Sequence, residues 1–306
     1  MPAQAKTVLV TGATGGLGRA LVGRLDELGW RVFAGVRSLE AGEELAHDAR
    51  SITPIRLDVC DQDSIAAARE EVTRVVGGQG LGGVVNNAGI VVLGPVELIP
   101  VHALRRQLEV NVLGPIAVTQ AFLPLLRAGG GRVINVSGAS GQISVPMLSG
   151  SGSKAALEAF SDALRMELKH QGLAVSMIVP GDMETDLFQK ADEARQRDGY
   201  AGSAETRQIY AHAVEAADQV AVSSKKAPVD GAVAAIVKAL TARRPAARYF
   251  VGREANAARM LRHLPTGLRD RLLLRSRGLR PALFESATSE RAMERRGQRQ
   301  RSAGTD

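Results

Sequence analysis

Thr11-Gly12-Ala13-Thr14-Gly15-Gly16-Leu17-Gly18 decides how this chain folds. It follows the apolar run Thr7 to Thr11 and opens a helical pattern, Leu17 to Leu28. Glycines at 12, 16 and 18 allow a tight turn, close approach of backbone to a pyrophosphate, and close packing of helix on strand. The phosphates then sit against the positive end of the helix. Gly12, Thr14, Gly16, Leu17 and Gly18 are therefore assigned to a dinucleotide site.

Outward from that turn, short β-branched runs alternate with longer helical patterns, the mark of βαβ units and a parallel sheet. Arg31 to Val36, Ile52 to Leu57, Gly83 to Val85, Arg132 to Val136, Ala174 to Val179 and Arg248 to Val251 read as further strands. They are apolar nearly throughout, as strands covered on both faces should be. Ser64 to Val76, Leu104 to Leu126, Ala155 to His170, Glu205 to Val222 and Val229 to Ala242 carry helical spacing. Gly29 and Gly172 stand where left-handed helix caps are wanted. The expected fold is an α/β doubly wound parallel sheet with helices on both faces, a single Rossmann-type domain over residues 1–252. The polar stretch Asp182 to Tyr200 reads as a lid or loop, and 253–306 as a basic, partly helical extension whose end, 286–306, reads as disordered or as a fraying helix.

The second strand ends Ala34-Gly35-Val36-Arg37. A carboxylate there would accept from a ribose 2′-hydroxyl, whereas Arg37 offers a cation to a 2′-phosphate, which favours NADP(H). The plainer reading of Arg37 is a surface arginine at a strand end. Asp58-Val59, after the third strand, would meet the adenine with a carboxylate and an apolar contact. A helix N-cap is the plainer role for Asp58.

With 306 residues and 45% hydrophobic content, the chain can bury one full core. The stretch 253–306 carries 13 arginines against six carboxylates, so the preceding 252 residues are neutral and the net +7 belongs to the tail. Aromatics at 3% make a base-stacking surface for nucleic acid unlikely on composition, and no motif supports one. A single Cys60 excludes a disulfide framework and fits a reducing compartment. The N-terminus lacks a signal-peptide layout, and no apolar run approaches the ~20 residues of a membrane span, so a cytoplasmic protein is expected. His47, His102, His170, His212 and His263 show no metal spacing, so no metal is expected.

Thr11 to Gly18, Asn86-Asn87-Ala88-Gly89, Asn111, Lys154 and Pro180-Gly181 with Thr185 together resemble the short-chain dehydrogenase/reductase family over residues 6 to 252. Ala242-Arg243-Arg244-Pro245 and Tyr249-Phe250-Val251-Gly252 are similar to its steroid- and retinol-dehydrogenase-like branch. The resemblance implies that Asn87, Ala88 and Gly89 shape the central cofactor strand, and that Pro180, Gly181 and Thr185 hold the nicotinamide. It also implies a catalytic set of tyrosine, lysine, serine and asparagine. Asn111 and Lys154 carry over. At the tyrosine position, four residues before Lys154, stands Gly150, and at the serine position stands Gly138, flanked by Ser137 and Ser140.

Pro146 to Lys154 is also one residue short of the family pattern, which points to a remodelled loop. Ser137 and Ser151 are the candidate substitutes, with Ser151 one helical turn before Lys154. A water held in the ring's place and polarised by Lys154 is the other candidate. The plainer reading of the Gly/Ser run is a loop before a helix capped by Ser151 or Ser153. Asp182 and Glu184 are further acids near the expected substrate position.

Three functions stay open. The first is an NADP(H)-dependent oxidoreductase acting on an apolar alcohol or carbonyl with an altered acid/base site. The second is a non-redox protein that keeps NADP(H) as a structural or sensing ligand. The third is a recruited cyclase or isomerase. A homo-oligomer is expected. The leucines and arginines of Met260 to Arg275 allow either peripheral membrane contact or packing on the core.

Overall fold

The computed structural model describes residues 6–223 and 226–276. The apolar runs become β1 (Thr7–Thr11), β2 (Arg31–Val36), β3 (Ile52–Arg56), β4 (Gly83–Asn86), β5 (Arg132–Val136), β6 (Ala174–Pro180) and β7 (Arg248–Val251). All pair in parallel, in the spatial order β3-β2-β1-β4-β5-β6-β7. The helices are α1 (Gly16–Glu27), α2 (Leu39–Ala46), α3 (Gln62–Val76), α4 (Val101–Leu108), α5 (Gly114–Gly129) and α6 (Gly150–Lys169). They continue with α7 (Leu187–Asp198), α8 (Ala204–Ser223), α9 (Asp230–Thr241), α10 (Arg253–Leu261) and α11 (Thr266–Ser276).

Successive strand side chains point to opposite faces, so one sheet organises two cores. Val8 and Val10 of β1 face Leu21 and Leu25 of α1 and Ile236 of α9. Leu9 between them faces the other layer, with Phe33, Val72, Phe122 and Leu126. Phe33 and Phe122 are fully buried, and each such burial contributes about 1.5–3 kcal/mol relative to exposure. The chain winds outward from β1 to β3, then returns to the far side of β1 as β4. The carboxyl ends of β1 and β4 therefore flank the crevice where such sheets bind ligands.

Gly29 and Gly172 end their helices at φ +73° and +75°, in the left-handed region expected of them. Three expectations need correction. The run read as one helix from Leu104 extends from Val101 to Gly129 and passes through a π-helical turn at Glu109–Leu113. That run is long and apolar enough to cross a membrane by length and composition. Here Val118, Phe122 and Leu126 pack it onto the sheet as a core helix. Finally, the stretch read as a lid or loop contains α7. Only Ala191 of α7 is buried, and charge pairs hold it: Lys190 with Asp186, and Arg195 with Asp192 and Asp218.

α2 has no counterpart among the expected helices. Ser38 caps it, accepting from the Ala41 N–H at 3.3 Å. Within the basic extension, Ala255 and Ala258 of α10 are buried, Ala255 against Met177 and Val179 of β6. The end read as disordered or as a fraying helix, 286–306, lies outside the described residues.

Candidate active site

The Gly-rich turn is locked to the end of β4 by a small hydrogen-bond web. Thr11 Oγ1 accepts from the N–H groups of Asn87 and Ala88 at 3.0 and 3.1 Å. Asn87 Nδ2 donates to the carbonyls of Thr11 and Gly12 at 3.0 and 3.1 Å. Gly12 sits at φ +64°, and a Cβ on it would lie 2.9 Å from Ala88 Cα. A Cβ on Gly18 would lie 2.2 Å from the Gly12 carbonyl oxygen. Both positions exclude a side chain. Leu17 points into the core, leaving the turn as bare backbone. α1 starts without a side-chain cap, so its first N–H groups are left for an anion. Thr14 lies within this turn. These residues fit a dinucleotide phosphate.

Arg37 stands exposed just past β2, with no hydrogen-bond or ion-pair partner among the described residues. The N-cap of α3 is Asp61, which accepts from Asp63 and Ser64 N–H groups at 2.9 and 3.2 Å. That corrects the plainer role given to Asp58. Asp58 instead accepts from the Cys60 N–H at 2.9 Å, and Val59 packs against Gly114 at the start of α5. Burial, helped by Asp58 and Glu109, pushes the Cys60 thiol above its usual pKa. At the other edge, Pro180 is buried and the Gly181 N–H donates to Val251 at 2.9 Å. The Glu254 side chain lies against Gly181. Thr185 brings its methyl group up to Gly16, 3.1 Å from the position of a Cβ there.

Asn111 lies on the π-helical turn, nearly fully buried. A π turn inserts one extra residue per turn, and such turns recur at functional positions. Asn111 Oδ1 accepts from the Ile90 N–H at 2.9 Å, and Nδ2 donates to the Ile90 carbonyl at 2.8 Å and to Ser153 Oγ at 2.9 Å. A Cβ on Gly89 would lie 3.4 Å from Asn111 Oδ1 and 3.5 Å from Lys154 Nζ. Gly89, Asn111 and Lys154 therefore converge beside the glycine turn. Lys154 Nζ donates to the Val136 carbonyl at 2.8 Å. Desolvation pushes its ammonium down to about 8, against an upward pull from Glu158.

The serine candidates are committed elsewhere. Ser137 Oγ donates to Glu158 Oε1 at 2.7 Å. Ser151 Oγ donates to the Leu148 carbonyl at 3.0 Å and accepts from the Val145 N–H at 3.2 Å. Ser153 Oγ donates to the Gly150 carbonyl at 2.9 Å. α6 already begins at Gly150, so neither Ser151 nor Ser153 caps it; Ser149 holds the cap position but its Oγ donates to the Val92 carbonyl at 2.8 Å instead of capping the helix. Gly150 and Lys154 lie one turn apart on α6, and Met147, before the helix, has φ +63°.

Gly150 and Gly138 are not crowded. A Cβ on Gly150 would meet nothing closer than 3.9 Å: Gln107, Leu148 and Val91. One on Gly138 would come no closer than 3.7 Å, to Ser140 Oγ. Val91 also borders an apolar cleft between the β4 exit and α7, lined by Ile99, Ala103, Ala191 and Tyr200.

Glu158 escaped the sequence reading. It is 5% exposed, accepts from Ser137 and Gln142, and lies 3.6 Å from Arg248 Nε. Gln142 Oε1 in turn accepts from Arg262 at 2.7 Å. Its signal was available: Glu158 falls four residues after Lys154, on the same helix face.

The seven-stranded parallel sheet, the bare glycine turn and the buried lysine–asparagine pair define a dinucleotide-dependent enzyme of Rossmann type. The family model described as short chain dehydrogenase matches residues 6–196. The chain belongs to the short chain dehydrogenase family and is an oxidoreductase of it. It is 37% identical over 254 residues to the 3-amino-tetrahydro-pyrrolizinone reductase of Xenorhabdus hominickii, across 82% of this chain and 88% of that one. It is 37% identical over 282 residues to the 17-beta-hydroxysteroid dehydrogenase type 6 of Bos taurus, covering 89% of each. Among solved structures, a short chain dehydrogenase from Burkholderia cenocepacia in complex with NADP superposes with a TM-score of 0.70 at 27% identity. That match covers 89% of this chain and 99% of the other.

Proposed function

We propose that this protein is an NADP(H)-dependent oxidoreductase for an apolar small molecule at the alcohol/carbonyl oxidation level, with an altered acid/base site. The observation that carries the reading is the convergence of Gly89, Asn111 and Lys154 beside a glycine turn that admits no side chain. Gly12, Thr14, Gly16, Leu17, Gly18, Asn87 and Ala88 would hold the pyrophosphate and ribose. Asp58 and Val59 would hold the adenine, Arg37 the 2′-phosphate, and Pro180, Gly181 and Thr185 the nicotinamide. The bound cofactor supplies a hydride; Lys154 holds the nicotinamide ribose and Asn111 fixes the Ile90 segment beside it. The apolar cleft at Val91, Ile99 and Ala103 supports an apolar substrate. Relatives named as steroid, retinol and pyrrolizinone oxidoreductases support the same class.

Exposed Phe160 and Met166 on α6 offer a face for a second copy of the chain, and exposed Met260, Leu268 and Leu272 beside arginines suit peripheral membrane contact. An exposed free thiol at Cys60 suits the cytoplasm. Calorimetric titration with NADPH, then a substrate panel followed at the nicotinamide absorbance, tests the reading. Binding with turnover is expected. Binding without turnover would instead favour a non-redox role, which the commitment of the Ser137, Ser151 and Ser153 hydroxyls to the fold also favours.

A further inference from the structure

A carbonyl reduced by hydride becomes an alkoxide, so the site must supply a proton or a strong donor as the charge develops. At Gly150 and Gly138 this site supplies neither. Three nearby hydroxyls are spent: Ser137 on Glu158, Ser151 on Leu148, and Ser153 on Gly150. Ser140 Oγ, 3.7 Å from the position of a Cβ on Gly138, is an aliphatic hydroxyl and a far weaker acid than a phenol. Gln107, beside the space at Gly150, is spent too, accepting from the Val92 N–H at 2.8 Å and donating to the Ser149 carbonyl at 3.2 Å. A Cβ at either glycine would make only ordinary contacts, none closer than 3.7 Å. Hydride-transfer architecture is thus retained while proton delivery by hydroxyl is not.

We propose that the acceptor reduced here is a carbon–nitrogen double bond that arrives already protonated, an iminium ion on an apolar framework. The inference rests on the NADP(H)-oxidoreductase reading and narrows its substrate. A hydride from NADPH forms the new C–H bond, the C=N pair becomes the nitrogen lone pair, and NADP+ leaves. The nitrogen keeps the proton it brought. The product is a neutral amine, no alkoxide forms, and no protein acid is consumed. The Val91, Ile99 and Ala103 side chains would contact the framework. The titratable groups packed around the site are Lys154 and Glu158 on α6, Arg248 on β7, Asp182 after β6, and Glu254 and Arg262 of the α10 segment. The Glu254 carboxylate against Gly181 gives the entering cation a negative neighbour.

The test pairs cyclic imines with the ketones of the same carbon skeleton, using the full chain and NADPH. Imines should be reduced at least ~100-fold faster, since positioned acid/base catalysis is worth about 10²–10⁴ and the ketone alone must do without it. The imine rate should fall as pH rises through each imine's own pKa, moving with the substrate. Were Lys154 the acid, every substrate would lose rate near pH 8, and that outcome overturns the proposal. A readout free of turnover is the ultraviolet spectrum of an imine bound to cofactor-free protein: the protonated form is expected at pH 6, and binding of the neutral form alone overturns the idea. Gly150→Tyr should raise the ketone-to-imine rate ratio by ~10-fold or more, and Gly138→Ser serves if the tyrosine variant does not fold. Ketones reduced as fast as imines would overturn this inference and leave the oxidoreductase reading standing. NADPH binding with neither substrate reduced would overturn both.

Discussion

Glycine lines both ends of the crevice, for opposite reasons. At the cofactor end, a Cβ on Gly12 or Gly18 would sit 2.9 or 2.2 Å from backbone atoms. At the substrate end, a Cβ on Gly138 or Gly150 would find its nearest neighbour at 3.7 or 3.9 Å. The first pair is demanded by close approach of backbone to backbone. The second pair stands where side chains fit and none is present. A glycine is therefore informative only with its surroundings. One kind marks a structural necessity; the other stands where backbone packing does not demand it.

The sharpest way to break this contrast is Gly18→Ala. The added methyl should overpack the turn, costing on the order of 3 kcal/mol, and NADPH binding should become undetectable by calorimetry. An alanine variant with parental affinity would mean the turn is not set by backbone contact. Arg37→Asp asks what the cofactor end discriminates. The parent should prefer NADPH over NADH, and the variant should reverse the order, a change of ~10-fold in relative affinity for a charge-assisted phosphate contact. Equal affinities in the parent would remove Arg37 from the site.

Lys154 lies between the two ends. Its folded pKa of about 8 is below the ordinary lysine value of 10.5, so the charged form is disfavoured by folding at neutral pH. The unfolded chain binds the extra proton between those values, and stability should rise with pH across that window. Lys154→Met should therefore be more stable at pH 7, by on the order of 1 kcal/mol after allowance for its partial solvent contact, and the gain should shrink by pH 10. Denaturant midpoints at the two pH values measure it. The smallest effect belongs to Gly150→Ala. The methyl would make only ordinary contacts at the start of a helix, and replacing glycine there should stabilise by about 0.5–1 kcal/mol. A loss of stability there would show the space at Gly150 to be less open than that at Gly12 is closed.

The sheet was legible because a strand covered on both faces must be apolar along its length; β1, β2, β5 and β7 run between the residues the sequence marks. α7 was not legible, since Lys190, Arg195 and their carboxylate partners replace the apolar stripe that periodicity detects. The π turn at Asn111 was equally hidden: shifting a hydrogen bond by one residue leaves the pattern of apolar positions unchanged. Gly89, Asn111 and Lys154, which converge in the structure, were legible as residue types. The commitments of Ser137, Ser151 and Ser153 were not, because each depends on a partner that only tertiary packing brings near. Glu158 shows the same limit, a carboxylate that reads as helix surface until Ser137, Gln142 and Arg248 enclose it.

The link from Arg262 through Gln142 to Glu158 and Ser137 has a consequence in time. Synthesis proceeds from the N-terminus, and domains form as their residues emerge. The glycine turn and its partners at Asn87 are complete within the first third of the chain. The loop around Ser137 and Gln142 waits for Arg262, some 120 residues later. A nascent chain halted before Arg248 would also lack the edge strand and the guanidinium beside Glu158. Such a chain should hold its cofactor turn while the opposite wall is still unset, so the two ends of the crevice mature in sequence, the substrate side last.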